Sequence, residues 1–556
     1  MLLLLALLAA DADLILHGGK IVTVDAAFSV REAVAMKQGK ITAVGSNAIV
    51  LKDQRGPSTR VIDLKGQTVL PGLIDSHVHA LGAGLSEFRG KLPPLDSYAA
   101  VQAYLRERAR VTPKGKWIVV PRTFPTRLKE MSMPTREVLD VLRDHPVIFD
   151  ASYVWVVNSK ALEVSGITRD TPDPPGGQIV RDERGEPNGI LRNATSLLKN
   201  TERTEAFTRE EKLSALEAML KRYVASGLTA VSDRAVTSEE IDLYRALRRE
   251  SKLPLRVVMT WRLPTNAPPE QLAKRIRDAG FTTRTGDDWL KFGAFKVTLD
   301  GGMTIGTAYQ RHPYGAFGRQ LYGQTDPDSR GQLFIGPEKL LAIMSAARDA
   351  GWQMTAHSQG GGAIDALLDA WESLNRQKPI KRTRSHLMHA SFQSPQAIER
   401  VARLGIGVDV QPQLLNYDGD ALSRVMPMKD FFPLRNYLNA GIRPVAGSDH
   451  MIGHDKNGAV NPYNPFFSMW MMVTRRTRSG AVIEPGQRVT REEALKMHTI
   501  WAAEMQFAED VRGSIEPGKL ADLVVIGTDF LRCTEDEIKA MEPMMTIVDG
   551  KITYAR

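Results

Sequence analysis

The 556-residue chain has a single cysteine, Cys533, and no low-complexity tract. One cysteine excludes an intrachain disulfide framework and any cysteine-rich zinc or iron–sulfur site. The chain also lacks an apolar run of the ~20 residues that a bilayer-spanning helix needs. Its 43% hydrophobic and 25% charged residues are typical of globular proteins. A mostly disordered chain, a fibrous protein and a multi-span membrane protein are therefore excluded.

A large excess of one charge is also missing. The chain has 73 Lys and Arg residues against 64 Asp and Glu residues, a net charge of +9. The densest basic clusters, Lys381–Arg384 and Arg475–Arg478, are short. Such runs usually belong to solvated faces rather than to phosphate-binding grooves. We therefore expect no nucleic-acid partner.

The N-terminus carries a short apolar run, MLLLLALLAA, from Met1 to Ala10. This run has the length of a signal-peptide core, and Ala10 and Ala12 supply the small residues of a cleavage site, but the basic segment that normally precedes the core is missing. We interpret residues 1–12 as a signal-peptide remnant; a buried first strand is the alternative. The first interpretation predicts export to the periplasm or beyond the cell, and the second a cytoplasmic protein. Neither predicts stable membrane insertion.

Short apolar strands alternate with amphipathic helical stretches along most of the chain. This pattern predicts a parallel sheet, and eight repeats predict a closed (β/α)8 TIM-like barrel over residues 68–512. The predicted strands are Thr68–His79, Leu228–Asp233, Leu255–Arg262, Leu290–Val297, Trp352–Ser358, Arg384–Ala390, Gly405–Pro412 and Arg443–Asp449.

Two regions depart from the alternation. Residues 85–205 separate the first two barrel strands by far more than a usual crossover, so they predict an inserted subdomain beside the barrel mouth. Residues 13–67 and 513–556 each contain short β segments with turn glycines but too few strands for a stable sheet. Together they predict one small composite β-sandwich built from both chain ends.

Candidate metal ligands fall at the carboxyl ends of the predicted barrel strands, where barrel enzymes build their sites. His77 and His79 are two residues apart on strand one, so both imidazoles point to the same face. Lys296, His357, His389 and Asp449 lie in strands four, five, six and eight. The other histidines are interpreted as structural, although His312 and His450 flank the predicted mouth and are candidates for substrate contact.

The sequence resembles the amidohydrolase superfamily, and within it the branch that contains N-substituted formamide deformylase and related amide hydrolases. The resemblance covers nearly the whole chain after the N-terminal run. The segments that carry it are Asp13–Ile21, Pro71–His79, Lys296–Gly301, His357, His389–Ala390, Gly447–Asp449 and Gly513–Asp522.

The resemblance implies a binuclear metal site, with two Zn²⁺ per chain expected and Mn, Co or Fe as alternatives. His77, His79 and Asp449 would bind the more buried ion, and His357 and His389 the second. Lys296 would bridge both ions as a carbamate, because an ammonium group has no lone pair to donate. Lys291 is the rival for this role, but it has the opposite strand phase and lies farther from the carboxyl end.

The implied chemistry is hydrolysis of a C–N amide bond in an N-acyl or N-formyl amine. A metal-bridged hydroxide would attack the carbonyl, with Asp449 as general acid and base. The alternatives are a deaminase or cyclic-amide hydrolase of the same superfamily, and a non-catalytic barrel that only binds. The expected partner is a small-molecule amide. The sequence leaves open whether the chain forms a homo-oligomer.

Two positions depart from the pattern of the resembling branch. Tyr153 stands where relatives often have histidine, and His450 follows Asp449 where relatives often have tryptophan. Both positions would face substrate rather than metal. Tyr153 and Trp155, together with His312 and His450, are therefore the predicted substrate-binding residues.

Overall fold

The computed structural model describes residues 11–174, 176–199, 201 and 207–556, and its largest sheet has eight parallel strands in chain order. The barrel is nearly closed, because Val78 at the end of its first strand forms an isolated parallel bridge with His450, which follows its last strand. The fold class predicted from the sequence is confirmed. The barrel strands, one to eight, are Leu73–Val78, Leu228–Val236, Arg256–Arg262, Leu290–Thr298, Gln353–Ser358, His386–His389, Gly407–Val410 and Val445–Ala446.

Burial on both faces explains why these segments form the barrel wall. Every residue of Leu73–Val78, Gln353–Ser358 and His386–His389 is buried. Strands covered on one face by helices and filled on the other by barrel side chains need near-continuous apolar sequence. The few polar residues within them are therefore expected to have partners or a function.

The structure divides the first predicted strand, Thr68–His79, into two. Thr68–Pro71 belongs to the sheet of the terminal sandwich, and only Leu73–Val78 enters the barrel. Gly72 stands at the break, where a Cβ atom would lie 2.2 Å from the hydroxyl oxygen of Thr229. The chain thus crosses from one sheet to the next at the residue that has no side chain.

Helices follow most of the strands and cover the outside of the barrel. Three of these helices are Pro337–Asp349, Gly361–Gln377 and Pro395–Leu404. The other helices of the barrel region are Ala80–Ser86, Arg209–Ala225, Ser238–Arg249, Pro269–Arg277, Gly315–Tyr322, Leu414–Leu422, Leu434–Asn439, Pro465–Thr474, Arg491–Met497 and Ile500–Met505.

Strands from both chain ends lie together beside the barrel. A six-stranded sheet has the order Lys551–Ala555, Pro543–Val548, Leu523–Ile526, Thr68–Pro71, Lys20–Val22 and Val30–Arg31. A four-stranded sheet has the order Lys40–Gly45, Ala33–Lys37, Leu14–His17 and Arg60–Asp63. Apolar side chains from both sheets and both chain ends form one buried cluster. Two short helices, Asn47–Gln54 and Glu535–Lys539, complete these ends.

The long segment between barrel strands one and two forms a five-stranded sheet of its own. Its strand order is Gln178–Arg181, Pro187–Arg192, Val154–Val157, Val147–Ala151 and Ile118–Val120. The helices Tyr98–Val111, Arg136–Leu139 and Ser159–Ser165 accompany it. Its apolar residues make two further buried clusters, separate from that of the barrel.

The predicted signal-peptide remnant falls almost entirely outside the described residues, which begin at Asp11. Within the described ranges, no helix combines the length and the apolar character that crossing a membrane requires.

Candidate metal centre

Two histidines of barrel strand one and an aspartate that follows strand eight meet at the carboxyl end of the barrel. Oδ1 of Asp449 lies 3.2 Å from Nε2 of His77 and 3.2 Å from Nε2 of His79. His77 is fully buried, and Asp449 is 8% exposed. One carboxylate oxygen therefore faces both imidazoles.

Strands four, five and six bring three more side chains to the same place. One ligand atom each from His77, His389 and Asp449 lie within 4.8 Å of one another. The ring of His357 has its centroid 4.2 Å from that of His389. Lys296 is buried and lines the same cavity as His79 and His357. The structure thus brings together all six residues predicted as metal ligands.

Lys291, the rival of Lys296, lies elsewhere. Its Nζ atom donates to the carbonyl of Phe507 at 3.4 Å, and it is not among the described residues that line the cavity. The five-residue separation gives the two lysines opposite strand phases. Only Lys296 is placed to act with the histidines.

Two of the six residues have strained backbones. His389 has φ +68° and Asp449 has φ +53°, in the left-handed region that side chains other than glycine rarely adopt. Such conformations are unfavourable by about 1–3 kcal/mol each and persist only where surrounding contacts enforce them. For Asp449 these contacts include its backbone N–H, which donates to the carbonyl of His77 at 2.7 Å.

Three supporting residues were not predicted from the sequence: Gln411, Asn461 and Asp300. Gln411 accepts from Nδ1 of His389 at 2.9 Å and donates to Nδ1 of His77 at 3.3 Å, so it joins ligands from two strands. Asn461 donates to the backbone carbonyl of Asp449 at 2.7 Å. Gln411 directly follows strand seven, so a search for polar residues at the carboxyl ends of the barrel strands could have found it. Asn461 lies in a loop, where no sequence pattern marks it.

Asp300 ties the end of strand four to the loop after strand five. Its carboxylate accepts backbone N–H groups of Gln359, Gly360 and Tyr309 at 2.8–3.0 Å. Burial raises the pKa of Asp300 to about 7, against the opposing effect of these donors. Nε2 of His357 donates to the carbonyl of Gly301 at 3.1 Å, which leaves the Nδ1 lone pair of this imidazole available.

Burial sets the protonation of the cluster. It holds the pKa of His77 and His357 well below the usual range and lowers that of His389 to about 4. Burial alone would raise the pKa of Asp449, but the hydrogen bond with His79 and the neighbouring His389 lower it to about 2. Neutral imidazoles beside an ionised carboxylate are the protonation states that metal binding requires.

The donor set fits a divalent metal ion. Nε2 of His77 is buried and makes no hydrogen bond, although it faces the carboxylate of Asp449. An orphaned buried nitrogen is unfavourable unless another group satisfies it. Imidazole nitrogens with a carboxylate oxygen suit zinc, and also manganese, cobalt or iron. The cluster is compatible with a metal site.

The cluster opens into a cavity of about 1470 Å³ between the barrel mouth and the inserted sheet. Of the predicted substrate-binding residues, Tyr153 lines it, with its ring centroid 5.7 Å from that of His357. Burial raises the pKa of the Tyr153 hydroxyl to about 12. This side chain therefore stays a neutral phenol at the wall of the cavity.

Trp155, His312 and His450 are not among the described residues that line the cavity. Trp155 packs in an apolar cluster of the inserted sheet, and His312 is exposed. His450 is fully buried, and both its ring nitrogens are engaged, one with the hydroxyl of Tyr223 and one with the carbonyl of Gly453, each at 2.8 Å. These three placements do not support the predicted substrate contacts.

A (β/α)8 barrel with clustered histidines and an aspartate at its carboxyl end defines the class of metal-dependent barrel hydrolases. The sequence profile of the amidohydrolase family matches residues 60–554. The chain belongs to the amidohydrolase family, which confirms the resemblance read from the sequence.

One curated relative supports this assignment, and two solved structures share the fold. N-substituted formamide deformylase of Arthrobacter pascens is 30% identical over 98% of this chain and 98% of its own length. An uncharacterized metal-dependent hydrolase from Pyrococcus horikoshii has the same fold, with a TM-score of 0.68, 22% identity, and coverage of 94% of this chain and 99% of its own. Atrazine chlorohydrolase TrzN from Arthrobacter aurescens, complexed with zinc, has a TM-score of 0.54 at 16% identity, over 97% of this chain and 94% of its own.

Proposed function

We propose that this metal-dependent hydrolase of the amidohydrolase family cleaves a non-peptide C–N amide bond in an N-acyl or N-formyl amine. The observation that carries the proposal is the convergence of His77, His79 and Asp449, with one carboxylate oxygen 3.2 Å from two imidazole nitrogens. The similarity to N-substituted formamide deformylase supports the choice of bond.

Two groups of residues would hold two divalent ions, zinc in our proposal. His77, His79 and Asp449 would hold one ion, and His357 with His389 would hold the other. Bound ions of this kind lower the pKa of a water molecule toward neutrality and polarise a carbonyl oxygen. His357 and His389 each donate a hydrogen bond from one ring nitrogen, so the other ring nitrogen keeps a lone pair that can bind a metal ion.

Lys296 would join the two groups of ligands as a carbamate, formed when its neutral amine adds carbon dioxide and releases one proton. Its side chain is buried and makes no hydrogen bond or ion pair with any described residue. Burial lowers the pKa of Lys296 to about 7, so near neutral pH much of the amine carries a free lone pair. A neutral amine can attack carbon dioxide, whereas an ammonium group cannot.

Asp449 transfers a proton from the attacking water to the departing amine. It is ionised, buried and fixed by the carbonyl of His77 and the side chain of Asn461. A fixed carboxylate beside the reacting water accepts its proton and then gives it to the departing amine.

Amide hydrolysis fits the cavity better than deamination. A deaminase needs a group that protonates a ring nitrogen, and a carboxylate soon after His357 would supply it. The chain has Ser358, Gln359 and Gly360 there, and the amide oxygen of Gln359 accepts the backbone N–H of Met303. The nearby Asp300 is engaged with three backbone N–H groups. No residue of this loop is free to serve as that acid.

A substrate panel tests the proposal. Metal-loaded protein is incubated with N-formyl amines, N-acyl amines, cyclic amides and nucleobase derivatives, and both amine and ammonia are measured. We expect a carboxylate and an amine from an open-chain amide, and no ammonia from cytosine, adenine or guanine derivatives. Ammonia release from a nucleobase at a rate well above that of every amide would contradict the proposal.

A further inference from the structure

An arginine without a partner stands beside the candidate metal centre. Arg262 is the last residue of barrel strand three, and it pairs in register with Lys296 on strand four. Paired residues of neighbouring parallel strands point to the same face. Both side chains line the cavity. The guanidinium of Arg262 makes no ion pair or hydrogen bond with any residue in the described ranges.

Two other cations of the cavity wall are paired with acidic residues. Arg127 pairs with Asp418 at 3.0 Å, and Lys212 pairs with Glu239 at 2.5 Å. Arg262 differs from them because its exposed side chain leaves all five N–H donors without a partner among the described residues. An Arg fork of this kind matches the two oxygens of a carboxylate.

Two further donors line the same cavity. Arg122 lies 3.5 Å from Asp150, a long contact, and its Nε atom is buried without a hydrogen-bond partner. The hydroxyl of Tyr153 makes no hydrogen bond with a described residue, and the charges of both Arg122 and Arg262 act on it. Unused hydrogen-bond donors therefore remain on Arg262, on Arg122 and on the hydroxyl of Tyr153.

From this arrangement we infer that Arg262, with Arg122 and Tyr153, forms a subsite for a carboxylate on the substrate, so that the substrate is an N-acyl amine that also bears a carboxylate. This inference rests on the proposed amide hydrolysis and names its substrate class. A cavity of about 1470 Å³ exceeds the ~300–1,000 Å³ of most small-molecule sites, which leaves room for this substituent.

Matched substrate pairs test the subsite. One pair places the carboxylate on the amine part: N-formylphenylalanine and N-(2-phenylethyl)formamide. The other places it on the acyl part: N-benzylsuccinamate and N-benzylbutanamide. Wild-type protein should have the higher kcat/KM for the carboxylate member of at least one pair. Equal or lower kcat/KM for both carboxylate members would overturn the subsite.

Arg262→Gln removes the charge and keeps a polar side chain. It should lower kcat/KM for the preferred carboxylate substrate by about tenfold to a hundredfold, the usual value of a charged hydrogen bond, and leave the neutral member nearly unchanged. Arg275→Gln, on the exposed face of helix Pro269–Arg277, is the matched control and should change neither. Equal losses on both members would overturn the inference.

A binding measurement separates this inference from the proposed function. Calorimetry with metal-loaded protein compares 3-phenylpropanoate with 3-phenylpropanamide, in wild type and in Arg262→Gln. Carboxylate affinity that falls in the variant supports the subsite even if no amide is hydrolysed. Affinity that is unchanged in the variant overturns it, and so does loss of bound metal in the variant, because Arg262 would then serve the carbamate of Lys296.

Discussion

Asp449 and His77 are joined twice across 372 positions of sequence: the backbone N–H of Asp449 donates to the carbonyl of His77 at 2.7 Å, and Oδ1 of the same aspartate lies 3.2 Å from Nε2 of the same histidine. The first contact helps to close the barrel between strands one and eight. The second contact assembles the candidate metal centre. The same two residues therefore contribute both to the closure of the barrel and to the candidate metal centre.

Asp449→Asn tests the proton-transfer role. The substitution preserves size and one oxygen ligand but removes the base, so kcat for the best amide should fall by about 10²–10⁴. Metal content, measured by elemental analysis, should be largely retained. Near-normal turnover in a correctly folded variant would assign proton transfer to another group.

Lys296→Ala tests the bridging role. Removing the amine removes the site of carbamate formation, so the variant should bind fewer metal ions than the wild type, which should hold up to two per chain. Bicarbonate added during metal reconstitution should raise metal content in the wild type and have no effect in the variant. Lys291→Ala is the control and should behave as the wild type. Unchanged metal content in Lys296→Ala would contradict the bridge.

Deletion of residues 513–556 tests the composite sandwich. The deletion removes Leu523–Ile526, which pairs with Thr68–Pro71 along its whole length. It also removes Asp522, the buried partner of Arg256 at 2.7 Å. An exposed strand edge and an unpaired buried cation both favour aggregation or unfolding. Gel filtration should show aggregates, whereas a monodisperse truncate with full activity would mean that the two ends fold separately.

His498 gives a prediction for acid stability. It is buried, with its ring nitrogens bound to the carbonyl of Ile74 and the hydroxyl of Ser468, and burial lowers its pKa to about 4 from the ordinary 6.5. Because the folded-state pKa is the lower one, the stabilisation is full above pH 6.5 and is lost as pH falls toward 4. The unfolded state binds the proton first in this window. At ~1.4 kcal/mol per pKa unit the contribution of His498 is about 3 kcal/mol.

The measurement is the thermal midpoint between pH 7 and pH 4 for His498→Gln, whose neutral amide can both donate and accept. The variant should lose less stability than the wild type over this range. His312→Gln, at an exposed position, is the control and should follow the wild-type curve. A variant curve parallel to that of the wild type would show that His498 does not titrate as described.

Much of this architecture could be predicted because the signals are local. All eight barrel strands read as apolar runs, and the ligands fall at their carboxyl ends, where His77 and His79 share a face by spacing alone. Arg262 and Gln411 could have been found by the same rule, since each lies at the end of a barrel strand or directly after it. We did not predict them because the strand-end residues were selected as metal ligands, and arginine and glutamine are not usual metal ligands.

Other features depend on contacts that no local pattern records. The apolar run 68–79 gives no sign that the chain changes sheets at Gly72, where the close approach of the Thr229 side chain leaves no room for a Cβ atom. His450 follows Asp449 and was expected to face substrate. It turns inward because the hydroxyl of Tyr223, 227 positions away, hydrogen-bonds with its ring. The strained conformations of His389 and Asp449 are likewise imposed by the assembled barrel.

The central claim is that this chain hydrolyses an amide with metal ions held by the cluster around Asp449. The most direct test strips the purified protein with a chelator and follows amine release from N-substituted formamides and N-acyl amines before and after Zn²⁺ is restored. The account predicts that turnover disappears with the metal, returns as up to two ions bind per chain, and does not return in His77→Ala. Turnover that persists in metal-free protein, or no amide hydrolysis by fully metal-loaded protein, would contradict it.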